Sequence, residues 1–265
     1  YGVWQGVKVP AVKTIAITLT RLPPAFDGYR IVQLTDIHAN GLLPAAWVEA
    51  VVRKANALRP DLIVVTGDLQ DGEPDTRAKD VRPLQDLRAR DGVLSIPGNH
   101  EYYTDYRRWM AIFQGLGLHM LVNEHVLIRR GDETLAIAGI TDQQAGSFGQ
   151  PVPDLNAALA GIAAGVPTIL LSHRPGNART SAAAGVALQL SGHTHGGQVL
   201  GLHYLPQRFN QGFISGLYAV GAMPLYVSNG TGLWNGFAVR IGRPSEITEI
   251  VLYAPPGATR SAHQR

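Results

Sequence analysis

Five short polar clusters follow one another along this chain: Asp36-Ile37-His38, Gly67-Asp68, Gly98-Asn99-His100-Glu101, Ser172-His173, and Gly192-His193-Thr194-His195-Gly196-Gly197-Gln198. Asp, His and Asn are oxygen and nitrogen ligands for divalent metals, and this many of them point to two metals rather than one. Residues two apart in an extended segment face the same side. Asp36 and His38 can therefore share one cation, and His193 and His195 can face one site. Asp68 carries two oxygens and follows a glycine with no side chain to obstruct it, which suits a bridge between two cations. Asn99 offers a neutral carbonyl oxygen that binds metal without adding negative charge where an anionic group must dock. His173 supplies a further imidazole. Cysteine is absent, so disulfides and thiolate chemistry are excluded, and any metal must be held by His, Asp, Asn or water.

Each cluster sits directly after an apolar run, and those runs are the strands that must deliver it. Thr14–Thr20 alternates apolar and polar residues, as a half-exposed edge strand does. Tyr29–Thr35 leads to Asp36. A helix is predicted from about Pro44, in its first turn, to Leu58, with Trp47, Val48, Val51, Val52 and Ala55 on one face. Leu62–Thr66 is a continuous apolar strand of the kind that helices cover on both faces. The polar stretch Gln70–Lys79 leads to a predicted helix ending near Arg90. Val93–Ile96 is the next strand, stopped by Pro97. His125–Arg130 and Thr134–Ile140 read as a hairpin, Leu155–Ala164 as a helix, and Thr168–Ser172 and Val186–Leu190 as strands. From Gly196 the chain is rich in glycine and aromatics. Short strands are expected there around Gly216–Val220, Leu225–Val227, Ala238–Ile241 and Ile247–Tyr253, favouring a second, largely antiparallel sheet. The whole reads as one α/β domain over residues 1–265, with two packed mixed β-sheets flanked by helices. Its parts are an N-terminal strand and edge (about 1–28), a metal-site core (about 29–200) and an antiparallel C-terminal part (about 201–253).

The formal charge is +3, and basic residues are scattered, as in Arg53-Lys54, Arg107-Arg108 and Arg129-Arg130, not gathered into a stripe. No nucleic-acid-binding face is expected. A modest attraction to anionic substrates or lipid headgroups is. Leu155–Leu171 approaches membrane-spanning length, but Asn156, Gly161, Gly165 and Pro167 interrupt it. A helix, a turn and a strand fit it better than a spanning helix, so the chain is expected to be soluble as it stands. Tyr1 stands where a methionine would begin a translated chain, so something is expected to precede it in the full-length protein.

In this order the clusters resemble the calcineurin-like metallophosphoesterases, whose motifs are D-x-H, G-D, G-N-H-[D/E], H and G-H-x-H. The resemblance covers most of the chain. Asp36 to Gln198 carry the metal motifs, while Gly216-Leu-Tyr218 and Tyr226-Val-Ser-Asn229-Gly230-Thr-Gly232 look like a bacterial branch. That branch includes UDP-2,3-diacylglucosamine hydrolases and related membrane-associated phosphoesterases. The resemblance implies a four-layer sandwich and two cations, Mn, Fe or Zn. One would be held by Asp36, His38, Asp68 and His195, the other by Asp68, Asn99, His173 and His193. His100 would be the catalytic residue that meets the transition state and protonates the leaving oxygen. Glu101, where Asp is commoner, would orient the loop. The implied activity is hydrolysis of a phosphodiester or pyrophosphate bond by metal-activated hydroxide. Its substrate would be a small-molecule or lipid phosphoester, with a lipid or nucleotide part. The alternatives are a phosphomonoesterase or protein phosphatase, and a non-catalytic metal-binding interaction domain. Hydrophobic segments or an export signal often precede the catalytic domain in this branch. That implies membrane association through such a segment, and an anchored or exported full-length protein in a bacterium.

Outside the clusters the alternatives stay open. Arg174 is either a contact for substrate phosphate or a solvated, salt-bridged arginine. His203 and Tyr204 either line the pocket mouth or lie on the surface. The apolar segment Val199–Pro206 either walls a pocket or packs against the second sheet. Tyr102 and Tyr103 either border the leaving-group site or, the favoured reading, are packing aromatics; Asp142 is expected to be a turn residue, and His119 and His125 surface or local-structure residues. Asp-x-His or Gly-Asp alone is ordinary turn material; the ordered set, with each member after a strand, carries the metal-site reading.

Overall fold

The structure, a computed structural model, describes residues 1–201 and 204–255, the side chains of residues 205, 206 and 235 excepted. In chain order the elements are α1 (Gly2–Val7), β1 (Ala11–Thr18), β2 (Tyr29–Leu34), α2 (Ala45–Ala57), β3 (Leu62–Thr66), α3 (Pro74–Val81) and β4 (Val93–Ile96). There follow α4 (Tyr106–Gly115), β5 (His119–Met120), β6 (Glu124–Arg130), β7 (Glu133–Gly139), α5 (Leu155–Leu159), β8 (Thr168–Leu171) and α6 (Ala178–Ala183). The last are β9 (Leu188–Ser191), α7 (Tyr204–Phe209), β10 (Gly216–Val220), β11 (Met223–Val227) and β12 (Glu246–Tyr253). Two six-stranded mixed sheets result, in the orders β1-β12-β2-β3-β4-β5 and β10-β11-β9-β8-β7-β6.

Period-two alternation along apolar strands produces the layers. Ile31, Leu62, Val64 and Leu94 of the first sheet pack with Ile137, Ile169, Leu171 and Leu188 of the second in one buried cluster. Their neighbours Val32, Leu34, Ile63 and Val65 turn the other way, onto Trp47, Val48 and Val51 of α2 and Trp109 and Phe113 of α4. Outside the second sheet, Ala138, Leu170 and Leu225 pack with Ala158 of α5 and Ala178 of α6. Each central strand is therefore covered on both faces, which is why its sequence is a continuous apolar run. At the edge, β1 shows the alternating exposure read from Thr14–Thr20.

Four local expectations are corrected. The helix expected to end near Arg90 starts earlier, at Pro74, and ends at Val81. The residues after it, Arg82–Asp86, form a 3₁₀ turn, because Pro83 has no N–H to continue an α-helix. Helix α5 ends at Leu159, short of Ala164, and the chain bends back at Gly161 with φ of 87°. Ala238–Ile241 is not a strand; it follows a 3₁₀ turn at Asn235–Phe237 and makes only isolated bridges from Ile241 and Gly242 to Val199. The last third does not build a largely antiparallel sheet of its own. Strand β11 pairs parallel with β9, and β12 enters the first sheet, parallel to β1 and antiparallel to β2. Among the described residues no helix is long and apolar enough to cross a membrane.

Candidate metal centre

Asp36 lies just past β2, Asp68 past β3, Asn99 and His100 past β4, His173 past β8 and His193 past β9. β2, β3 and β4 are parallel, as are β7, β8 and β9. Both sheets therefore open their carboxyl ends on one crevice, where side chains from separate strands can converge. They meet in two groups. In the first, Asp36 Oδ1 lies 3.6 Å from His195 Nε2 and 4.0 Å from His38 Nε2, and the two imidazole nitrogens are 3.0 Å apart. In the second, His173 Nε2 lies 3.2 Å from Asp68 Oδ2, 3.1 Å from Asn99 Oδ1 and 3.2 Å from His193 Nδ1. Asp68 Oδ2 is also 3.7 Å from His38 Nε2 and 4.0 Å from His100 Nε2, so one carboxylate reaches both groups. The triads Asp36–His38–His195 and Asp68–His173–His193 each offer donor atoms within 4.8 Å of one another. Buried nitrogen and carboxylate donors this close, without thiolates, fit divalent cations.

The backbone is bent to achieve this. Asp36 (φ 50°), His38 (47°), Asp68 (56°), His193 (69°) and His195 (50°) all lie in the left-handed region, at a cost of about 1–2 kcal/mol each. The extended geometry expected for Asp36-Ile-His38 and His193-Thr-His195 is thus not what brings them in. The alternation survives because Asp36 N donates to Gly67 O, His38 N to Asp68 O and Ala39 N to Leu69 O, extending the β2–β3 pairing beyond the strands. His193 and His195 end in different groups. A Cβ on Gly192 would stand 2.3 Å from Asp36 Oδ2, and one on Gly98 2.2 Å from Asp68 Oδ1. Only glycine lets those carboxylates lie so close to the backbone.

Charged partners orient the imidazoles. Asp71 Oδ1 lies 2.8 Å from His38 Nδ1 and 2.7 Å from His100 Nδ1. Glu101 orients the loops: its carboxylate accepts from the N–H of Asp68, Leu69 and Gly98 at 2.7–2.9 Å. Burial, then the charge of Asp68, push Glu101 up to about 7 against these three donors. Burial disfavours the His100 cation, but Asp68 and Asp71 outweigh it and hold its pKa at about 9. His173 is likewise opposed by burial and held at about 10 by Asp68 and Asp36. His193 and His195 go the other way. Burial lowers both, reinforced by His173 and Arg174 for His193 and by His38 and Arg240 for His195.

A cavity of about 860 Å³ opens over these groups. Its lining includes His38, Asp68, Asn99, His100, His193 and His195, together with Tyr103, Gln198, Asn210, Trp234 and Phe237. Tyr103 also stands edge-on to His100, with ring centroids 5.1 Å apart. Arg174 is salt-bridged: its Nε donates to Asp142 Oδ2 at 2.7 Å, while Nη1 reaches within 3.1 Å of His193 Nε2. Tyr204 is 69% exposed and is not among the cavity-lining residues. His203 lies outside the described residues. Within Val199–Pro206, residues 202 and 203 and the side chains of 205 and 206 lie outside the described residues; the described lining takes its aromatic part from Tyr103, Trp234 and Phe237.

The sequence reading missed Asp71 and Arg240, and saw only part of the role of Asp142. Asp71, three residues after Asp68, carried a local signal as a second carboxylate beside a presumed ligand. Arg240 carried none. It is buried, and donates to the carbonyls of Asn229, Gly232 and His195, with Nη2 3.0 Å from His195 Nδ1. Asp142 does initiate a turn, accepting from Gln144 N at 2.8 Å, but it also anchors Arg174.

The sequence and the fold both have known relatives. The calcineurin-like phosphoesterase family model matches residues 29–197, from β2 through the last histidine cluster. The chain belongs to that family. Within it, the chain is 38% identical to a transmembrane protein with metallophosphoesterase domain from Bos taurus, covering 96% of this chain and 60% of that one. It is 32% identical to the Bacillus subtilis metallophosphoesterase YkuE, over 95% of this chain and 89% of the relative. The chain spans about three fifths of its cow and zebrafish relatives, 60% and 59%. Among solved structures, the calcineurin-like phosphoesterase YfkN from Bacillus subtilis superposes with a TM-score of 0.52 at 17% identity, covering 78% of this chain and 82% of that one. It shares the fold. Calcineurin-like phosphoesterases hydrolyse phosphoesters and typically bind divalent metals, and this chain brings His and Asp side chains together in groups that could hold a metal ion.

Proposed function

We propose that this chain hydrolyses phosphodiesters or diphosphates with two divalent cations, on substrates that carry an apolar part, beside a membrane. The observation that supports it most is the sharing of Asp68 between two donor groups, with His100 alongside. In this reading Asp36, His38, Asp68 and His195 hold one cation, and Asp68, Asn99, His173 and His193 hold the other. Two such cations supply Lewis-acid charge at the phosphoryl group and an activated water. The protein does the rest. Asp71, on His100 Nδ1, leaves Nε2 as the atom that faces the site. From there His100 delivers a proton to the departing oxygen. Asp71 fixes the His38 ring through the same carboxylate oxygen.

The preference for diesters rests on the cavity. Its described lining contains no Lys or Arg to grip a dianionic monoester, and does contain Tyr103, Trp234 and Phe237. Aromatic walls of this kind would favour a diphosphate or diester that carries an apolar part. The name of the transmembrane relatives supports a place at a membrane. A phosphomonoesterase is the second reading, supported by Arg174, whose guanidinium stands 3.1 Å from His193 Nε2. Comparing kcat/KM for bis-p-nitrophenyl phosphate and p-nitrophenyl phosphate, on protein stripped of metal and reloaded with Mn, Zn or Fe, tests both. Diester preference is expected. Monoester preference selects the second reading, and equal rates with and without metal reject both.

A further inference from the structure

The surface beside the cavity mouth is unusual in two independent ways. First, it exposes large apolar side chains. Helix α1 lies against the 239–241 segment: Arg240 N donates to Gly2 O, and a Cβ on Gly2 would meet Val239 and Ile241. Tyr1 and Trp4, on this helix and at its start, are 87% and 59% exposed. Ile241 O accepts from Leu200 N, which ties in the loop after His195. Leu200 and Ile241 are exposed, as is Phe209, which precedes Asn210 of the cavity lining. The same stretch of chain holds Trp234 and Phe237, which line the cavity and are themselves partly open to solvent. Folded domains rarely leave so many bulky apolar groups together in water unless something covers them.

Second, the segments that build this surface contain no carboxylate. No Asp or Glu occurs before Asp27, and none between Asp154 and Glu246. The charges they do carry are positive. Lys8 sits over the Trp4 ring at 5.1 Å, and Arg208 is exposed beside Phe209. Aromatic and aliphatic groups on segments whose only charges are cations suit an anionic lipid interface. There the rings enter the headgroup level, and the cations meet phosphate. A protein interface would ordinarily surround its apolar core with a polar rim.

We propose that this surface is an interfacial membrane-docking face that seats on an anionic bilayer with the cavity mouth turned toward the lipid. It rests on the reading that the site hydrolyses an amphiphilic phosphoester, and adds how such a substrate arrives: sideways from the bilayer, its apolar part passing Trp234 and Phe237 while its phosphate reaches the donor groups. The face is assembled from the chain's own residues and requires no spanning helix.

Flotation of the purified chain with sonicated vesicles tests docking apart from catalysis. The vesicles are either pure phosphatidylcholine or equal parts phosphatidylcholine and phosphatidylglycerol. The chain should float with the anionic vesicles and remain behind with the neutral ones, and salt should weaken the association. Trp4→Ser, Leu200→Ser and Phe209→Ser should each lower vesicle affinity by on the order of tenfold. Hydrolysis of a soluble p-nitrophenyl diester should be unchanged in all three. Equal binding to both vesicle types, no binding to either, or indifference to all three substitutions overturns the proposal. So does a dimer in light scattering that these substitutions dissolve, since a second copy would then be what covers the face. If the soluble diester is not cleaved at all while flotation behaves as described, the catalytic reading fails and the docking face stands.

Discussion

Two pairs of histidines in one crevice differ in charge, one pair protonated and the other neutral. His100 and His173 stand against Asp68 and are held protonated near neutral pH. His193 and His195 stand against Arg174 and Arg240 and are held neutral. Burial disfavours the cation in all four, so it cannot explain the difference; the neighbouring charge does. The carboxylate side thus keeps a proton in place on His100, where a leaving oxygen would need one. The arginine side keeps imidazole lone pairs free, as a metal requires. If His173 holds a cation as proposed, that cation would have to displace a proton.

Removing the shared carboxylate should have the largest effect. Asp68→Asn is expected to take diester hydrolysis to background and to lower metal content measured by elemental analysis, with the circular dichroism spectrum retained. Wild-type turnover with full metal content in that variant would break the comparison at its centre. His100→Ala comes next, with kcat lower by about 10²–10⁴-fold while metal content stays at the wild-type level. The loss should deepen as the leaving group becomes more basic. A loss uniform across a leaving-group series would instead assign His100 to the phosphoryl oxygens.

Asp71→Asn keeps the shape but removes the charge that orients His38 and His100. Activity or metal affinity should fall about 10–100-fold, and a variant with wild-type values in both would show that Asp71 is dispensable. Arg240→Met strands buried carbonyls of Asn229, Gly232 and His195. A loss of about 1–3 kcal/mol in unfolding free energy is expected, read by denaturant titration. The subtlest test leaves the sequence alone. Imidazole ¹⁵N shifts of the metal-free protein at neutral pH should show His100 and His173 protonated, with pKa values near 9 and 10. His193 and His195 should be neutral. Four similar titrations would remove the asymmetry.

Much of this was legible in the sequence because each donor cluster must follow a strand, and buried strands announce themselves as apolar runs. Leu62–Thr66 and the buried face of α2 are found as read. What stayed hidden depends on contacts far apart in the chain. Strand β12 joins β1 and β2 from the other end of the sequence, and no local pattern encodes that pairing. Arg240 reaches His195 across a loop, and the left-handed turns at Asp36 and His193 are held by distant partners: Asp36 N donates to Gly67 O, and His193 N to the Asp36 carboxylate. Trp234 and Phe237 looked like ordinary members of an aromatic-rich tail until the fold placed them on the cavity wall.

Titrating metal-stripped protein with Mn or Zn in a calorimeter, with diester turnover followed on the same samples, tests the two-cation site most directly. The account predicts two equivalents bound per chain, proton release as His173 gives up its proton, and turnover that becomes maximal only when the second equivalent is in place. Full turnover at one equivalent, or turnover that persists in excess chelator, would contradict it.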